Sequence, residues 1–181
     1  MICFDEFGPL ELRPHGGVVW AKEGEPARVR ATYHRGAGTR TLLAFYDVHA
    51  GALGGIFRRR KRVVEVAEAF QRLRACYPRW RLYVVLDNLR HVHDSPRLLR
   101  LLRRLHITPV WTPTNASWLN LIEAQFGALK RATLTNTDDP DHRTRQRRVY
   151  RYLRLRHRDL GIAGHPLERL RSIRIIKLER H

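Results

Sequence analysis

Residues 82–88 read Leu82-Tyr83-Val84-Val85-Leu86-Asp87-Asn88, five apolar residues that end abruptly on a carboxylate. A run of this length without polar alternation is the pattern of a strand covered on both faces, as in a parallel sheet. On its N-terminal side, Val63, Val66, Ala67, Phe70 and Leu73 recur at helical spacing within Lys61 to Cys76, and Tyr77-Pro78 stops that helix. On its C-terminal side, Ser95-Pro96 supplies a cap and first-turn proline for a helix over Leu98 to Leu105. Ile107 to Trp111 then forms a second short strand. Strand–helix–strand connections of this kind are right-handed crossovers, so the middle of the chain builds parallel pairing with helices on the sheet.

The chain before residue 61 has a different rhythm. Met1 to Phe4 is a short strand delivering Asp5, Gly8-Pro9 interrupts it, and Glu11 to Arg13 continues the ribbon. Gly16-Gly17 turns into Val18-Val19-Trp20, Ala21 to Arg28 reads as a loop, and Val29 to Tyr33 as a weak strand. Gly36 to Gly38 turns into Thr41 to Val48, and Ala50 to Gly55 into Ile56-Phe57. These connections are too short for crossover helices and predict an antiparallel meander. After residue 111, Thr112 to Ala116 is a turn, and Ser117 caps a helix through Thr133. Thr135 to Asp141 is a loop, His142 to Arg158 a basic helix, and Gly161 to Pro166 a break before a short helix and a strand or tail. The expected order is three strands, helix, strand, helix, strand, helix, helix. That is an α/β fold with a mixed sheet flanked by helices on both faces, and the long crossovers argue against a β-barrel. The expected organisation is a main domain over 1–158 and a basic C-terminal extension over 159–181.

The 181 residues carry 35 Lys plus Arg against 17 Asp plus Glu, a formal +18. The excess is spread along the chain: +3 over residues 1–60, +7 over 61–120 and +8 over 121–181. A 43% hydrophobic fraction supplies a core and argues against wholesale disorder. Cys3 and Cys76 form no CxxC pair and read as buried thiols. With no long uncharged apolar run and no signal-peptide pattern, a soluble, cytoplasmic protein is expected, its partner a polyanion.

Three acids stand apart from that basic background. Asp5 follows Met-Ile-Cys-Phe, Asp87 follows Leu-Tyr-Val-Val-Leu, and Glu123 lies between Ile122 and Ala124 in a helix. Carboxylates in apolar surroundings need a compensating cation or proton. Strand C-terminal ends are favoured ligand positions, so Asp5 and Asp87 meet if their strands are adjacent, with Glu123 reaching in from a covering helix. Divalent metal is the natural compensation, and hard oxygen ligands favour magnesium or manganese. Such a cluster suits two-metal phosphoryl transfer on a phosphodiester held by a basic face. Two rivals exist. Glu6 adjoins Asp5, but neighbouring strand residues point to opposite faces, so only one joins the cluster; the other is Asp47. Along the third acid's helix, Asn120, Glu123, Gly127 and Lys130 or Arg131 fall on one face, and Trp118, Leu121, Ile122, Gln125, Phe126 and Leu129 on the other. Gly127 reads as a tolerated glycine or as one required by a close backbone approach.

The segment Thr112-Pro-Thr-Asn-Ala-Ser-Trp-Leu-Asn-Leu-Ile-Glu123, with Ala-Gln-Phe-Gly-Ala-Leu-Lys-Arg131 after it, resembles the third acidic motif of mariner-like bacterial insertion-sequence transposases of the DDE superfamily. Val84-Val-Leu-Asp-Asn88 resembles the second motif, and Cys3-Phe-Asp-Glu6, with Trp20 and Lys22 downstream, the first. The resemblance covers roughly residues 1–158. It implies a ribonuclease-H-like fold, with Asp5, Asp87 and Glu123 as catalytic, metal-binding residues for two Mg2+ or Mn2+ ions. The implied reaction is DNA cleavage followed by strand transfer. The family's single histidine five residues after the second aspartate is replaced here by His91 and His93, four and six after Asp87, which read as loop histidines. Family members also carry an N-terminal helix-turn-helix region. The resemblance therefore implies the catalytic domain only, partnered with double-stranded DNA and with a second copy or a separate helix-turn-helix subunit, and nucleoid-associated when bound. Two other readings remain open at this point: an inactive remnant acting only as a basic DNA-binding module, and another ribonuclease-H-like nuclease. For either, the arginines of His142 to Arg158 and the run Arg58-Arg59-Arg60-Lys61-Arg62 are candidate phosphate contacts.

Overall fold

A computed structural model describes residues 1–17, 22–25, 28, 37–87, 95–113 and 116–175. The expected strands at Val18-Val19-Trp20 and Val29 to Tyr33, and the positions of His91 and His93, lie outside these residues. The strands are β1 (Ile2–Glu11), β2 (Thr39–Asp47), β3 (Ala52–Arg58), β4 (Leu82–Leu86) and β5 (Ile107–Trp111). The helices are α1 (Val63–Cys76), α2 (Pro96–Arg104), α3 (Ile122–Thr133) and α4 (His142–Asp159), with 3-10 turns at Ser117–Leu119 and Pro166–Arg171. One five-stranded sheet has the order β3-β2-β1-β4-β5. β1, β2 and β3 pair antiparallel as a meander, while β4 runs parallel to both β1 and β5. This is the mixed, helix-flanked α/β architecture expected from the sequence, in a ribonuclease-H-like arrangement. No helix among the described residues is long and apolar enough to cross a membrane.

Strand alternation divides the core into two layers. Phe4, Phe45, Val84 and Leu86 face α1 and α2, where Phe4, Phe45 and Phe70 stack with ring centroids 5.0–5.5 Å apart. Cys3, Ala44 and Val85 face α3 and α4, meeting Ile122, Leu129, Val149 and Leu153. The predicted cap operates at α2, where the Ser95 hydroxyl accepts the Leu98 N–H and Pro96 opens the helix; at α4 the cap is Asp141, read from sequence only as the end of a loop, which accepts the Thr144 N–H.

Two local expectations are corrected. The turn expected over Ala50 to Gly55 is confined to the residues before Ala52, and Gly54 and Gly55 lie inside β3. Gly54 is there because the C-terminal chain crosses it: a Cβ at this position would stand 2.8 Å from Leu167 Cβ and 2.9 Å from Leu167 O. Leu167 and Leu170 are thereby buried in the same core as the sheet and cover its β3 side. The helix expected from Ser117 begins instead at Ile122, after a separate 3-10 turn. The change of helical phase turns Trp118, Leu119 and Leu121 outward, 70%, 52% and 45% exposed, whereas the continuous-helix reading put Trp118 and Leu121 on the packed face.

The two glycines separate cleanly in energy. Gly127 meets only the far end of Arg131 at 3.6 Å, so no close approach requires it. Gly127→Ala is therefore expected to stabilise by about 0.5–1 kcal/mol through helix propensity. Gly54→Ala is expected to destabilise by about 1–3 kcal/mol through overpacking against the Leu167 backbone. Urea unfolding of the two variants beside the parent checks both signs.

Candidate active site

The parallel ladder between β1 and β4 pairs Ile2 with Val84 and Cys3 with Val85. Carrying that register on by two residues sets Asp5 beside Asp87; Asp87 directly follows the C-terminal end of β4, whereas Asp5 lies within β1, which runs on to Glu11 instead of ending at the acid as the sequence suggested. Asp5 shares the face of Cys3, towards α3. Glu6 points the other way, as alternation requires, and pairs with Lys61 at 3.1 Å. The second rival is also placed elsewhere. Asp47 pairs with Ile2 at the opposite end of β1, accepts hydrogen bonds from the Tyr77 hydroxyl (3.1 Å) and the Ala50 N–H (3.4 Å), and lies 3.5 Å from His165 Nε2. Burial raises the Asp47 pKa, but the hydrogen bonds from His165, Tyr77 and Ala50 outweigh it and hold the carboxyl at about 2. Asp47 is a structural acid.

Glu123 arrives through the start of α3. Asn120, 1% exposed, donates from Nδ2 to Phe4 O at 3.0 Å, and its own carbonyl accepts the Glu123 N–H at 3.0 Å. The Cys3 thiol is buried against the backbone N–H groups of Leu121 and Ile122, with burial pushing its pKa up. Two contacts, one on each residue preceding Asp5, thus fix the helix start onto β1. Asn120 is the functional residue that the sequence reading misplaced. Helical spacing put it on a polar face with Glu123, whereas the phase break at Ile122 buries it and leaves Glu123 exposed.

Asp5 senses the other two acids. Burial above all, with the negative charges of Asp87, Glu6 and Glu123 adding to it and the Glu6 N–H bond at 2.7 Å opposing, raises its pKa to about 6. Among the described residues, no three His, Cys, Asp or Glu side chains are gathered closely enough to hold a metal ion. The donor chemistry nevertheless fits a hard divalent cation: carboxylate oxygens on two adjacent strands, that of Asp5 costly to ionise, and a third carboxylate within electrostatic reach.

Several cations proposed for phosphate contact are used internally. Arg58 pairs with Glu68, Arg62 with Glu65 and Lys61 with Glu6. In α4, Arg145 is 1% exposed, bound to Asp139 at 2.9 Å and to the carbonyl of Glu11. Arg148 pairs with the same Asp139 at 2.7 Å, and Arg156 bonds Gln125 at 2.7 Å.

A carboxyl with a raised folded pKa favours folding in its protonated form. Its contribution is complete below the ordinary value near 4 and lost as pH rises through about 6. In metal-free buffer, Asp5→Asn is therefore expected to gain up to about 3 kcal/mol over the parent between about pH 4 and pH 8. Urea unfolding across that range tests this, and a pH-independent difference contradicts it.

A family model described as DDE superfamily endonuclease matches residues 1–144. No curated protein matches the sequence. Among solved structures, the Mos1 mariner paired-end complex with Mn is similar at TM-score 0.67 and 12% identity, over 93% of this chain and 52% of that one. The Mos1 strand transfer complex gives 0.66 and 12%, over 93% and 50%. The simian T-cell lymphotropic virus intasome gives 0.51 and 18%, over 62% and 42%. The chain thus spans about half the length of the Mos1 chains it resembles, and these identities speak for the fold alone. With a family match over most of its length, on the fold and strand ends described above, the chain belongs to the DDE superfamily endonucleases.

Proposed function

We propose that the chain is the catalytic unit of a mariner-like insertion-sequence transposase, cutting and joining DNA phosphodiesters with Asp5, Asp87 and Glu123. The observation that carries this reading is electrostatic. Asp5 sits within a central strand, beside the end of β4, where burial first and then the charges of Asp87, Glu6 and Glu123 raise its pKa. An acid site of this kind is costly without a ligand, and a divalent cation offsets the cost. Asp5, Asp87 and Glu123 would hold Mg2+ or Mn2+. When bound, the metal supplies activation of water or a 3′-hydroxyl and stabilisation of the leaving oxygen.

The chain's own residues have distinct parts in this reading. Asp5 and Asp87 come from strands whose pairing fixes their separation. Glu123 is exposed and borne on a helix start held by Asn120 and Cys3, which leaves its side of the site open to a DNA strand. The similarity to Mos1 complexes containing a transposon end and Mn supports DNA and a hard divalent ion as ligands. On this reading residues 1–158 form the catalytic domain and 159–181 its extension, with end recognition supplied by a helix-turn-helix region or subunit. A second copy is a further candidate partner.

One observation favours a second reading, a chain that binds DNA without cutting it: the acids are not drawn together into one metal-holding group among the described residues. Nicking of supercoiled plasmid separates the two. Mg2+- or Mn2+-dependent nicking is expected from the parent, with Asp87→Asn and Glu123→Gln reduced on the order of 100-fold or more. DNA binding with no metal-dependent nicking selects the second reading. Equal activity in parent and variants removes Asp87 and Glu123 from the site.

A further inference from the structure

We propose that one face of α4 is a docking surface for the phosphate backbone of duplex DNA, read without regard to sequence. It rests on the proposed action on DNA, but concerns a region the family match does not reach. That match ends at residue 144, and α4 continues to Asp159.

The structure divides the helix's eight arginines into two sets. Arg145, Arg148 and Arg156 are taken up by Asp139, the Glu11 carbonyl, Gln125 and the Gly51 carbonyl. The other five, Arg143, Arg147, Arg151, Arg154 and Arg158, are exposed. Their spacing of four, four, three and four residues confines them to an arc of about 80° on the helix. The buried residues Val149, Leu153 and His157 fall on the far side of the same helix. Of the five, only Arg158 meets a carboxylate among the described residues, Asp159 at 3.3 Å.

A row of like charges at i, i+4 spacing destabilises a helix; no acid lies between His142 and Arg158, and Asp141 and Asp159 offset the row only at its two ends. A polyanion relieves it. The row runs for about 22 Å, the axial length of six or seven base-pair steps of a duplex at about 3.4 Å each. A further cation adjoins it: the Arg171 guanidinium is stacked 4.8 Å over the Tyr150 ring, and Arg171 and Arg154 together line a cavity of about 100 Å³ at the β3 edge. Guanidinium stacked on an aromatic ring keeps its in-plane donors free for phosphate oxygens. Phosphate contacts carry no sequence information, so binding through this row is expected to be indifferent to sequence.

The test is the salt dependence of binding to two unrelated blunt duplexes, using the full chain without divalent metal. A variant carrying Arg147→Gln, Arg151→Gln and Arg154→Gln is compared with one carrying Arg79→Gln, Arg81→Gln and Arg104→Gln. The second set is also exposed, removes the same charge, and lies away from α4. The α4 variant is expected to lose about 2.7 from the slope of log K against log salt, three contacts at about 0.9 each. It is expected to bind on the order of 10–100-fold more weakly at about 0.15 M salt, equally on both duplexes. The control set is expected to leave the slope near the parent value. An unchanged slope in the α4 variant, or an equal loss in the control, overturns the proposal. Asp87→Asn carried through the same titration keeps the questions apart. If it binds with the parental slope and the parent never nicks DNA, the docking surface stands while the cleavage reading fails.

Discussion

The parallel pairing of β1 with β4 is the constraint on which the rest of the molecule depends. It consists of two residue pairs, Ile2 with Val84 and Cys3 with Val85, at the centre of the sheet. On one side it continues into the antiparallel meander, on the other into β5, so every strand takes its place from this seam. The seam also sets faces. With Phe4 committed to α1 and α2 and Cys3 to α3 and α4, Asp5 must face α3 and Glu6 must face away. A slip of one residue would exchange the two acids and turn Phe4 out of its aromatic cluster. Phe4 is 0% exposed and touches both Phe45 and Phe70, so packing opposes that slip strongly.

Most of the fold was legible because its decisive elements carry simple patterns. The run Leu82 to Leu86 announced a strand covered on both sides, and the helical spacing of Val66, Phe70 and Leu73 announced α1. Asp87 was legible for the same reason, as a polar residue that ends an apolar strand, and Asp5 as the acid that follows an apolar run, although β1 continues past it to Glu11. The third acidic segment was legible as a motif but not as geometry. A continuous helix from Ser117 satisfies local periodicity, yet the chain breaks phase at Ile122 so that Asn120 can reach Phe4 O. That hydrogen bond joins residues 116 apart in sequence, and no local pattern encodes it. Gly54 was misread for a similar reason. Two consecutive glycines read as a turn, while Leu167 crosses the strand at Gly54 and Leu42 to Ala44 of β2 close in on Gly55.

The arginines show where composition stops being informative. By sequence, the eight in α4 are equivalent candidates for phosphate contact. Asp139 distinguishes them, since a fully buried carboxylate must be paired and Arg145 and Arg148 are the residues that the helix turns towards it. Buried pairing of this kind contributes little net stability, but removing one partner is costly. Its effect here is orientation. Tied to Asp139 and to the carbonyls of Glu11 and Arg13, Arg145 fixes the rotation of α4 on the sheet. The same rotation sends Arg143, Arg147, Arg151, Arg154 and Arg158 to the outside.

This separation of charge bears on the acid site. In a chain of net charge +18, the simplest remedy for a partly buried aspartate is a neighbouring guanidinium, which would lower its pKa as hydrogen bonds do at Asp47. Asp5 is shifted the opposite way, with burial and other acids dominating over any cation. Cations near the strand ends are already spent elsewhere, Lys61 on Glu6 and Arg58 on Glu68. A guanidinium beside Asp5 would stabilise the fold, but it would also occupy the carboxylate oxygens that a metal needs. Leaving that charge unneutralised costs stability and preserves the donor set. Positive charge is carried instead by exposed arginines such as Arg147, Arg151 and Arg154 of α4, which can attract phosphates without occupying the carboxylates.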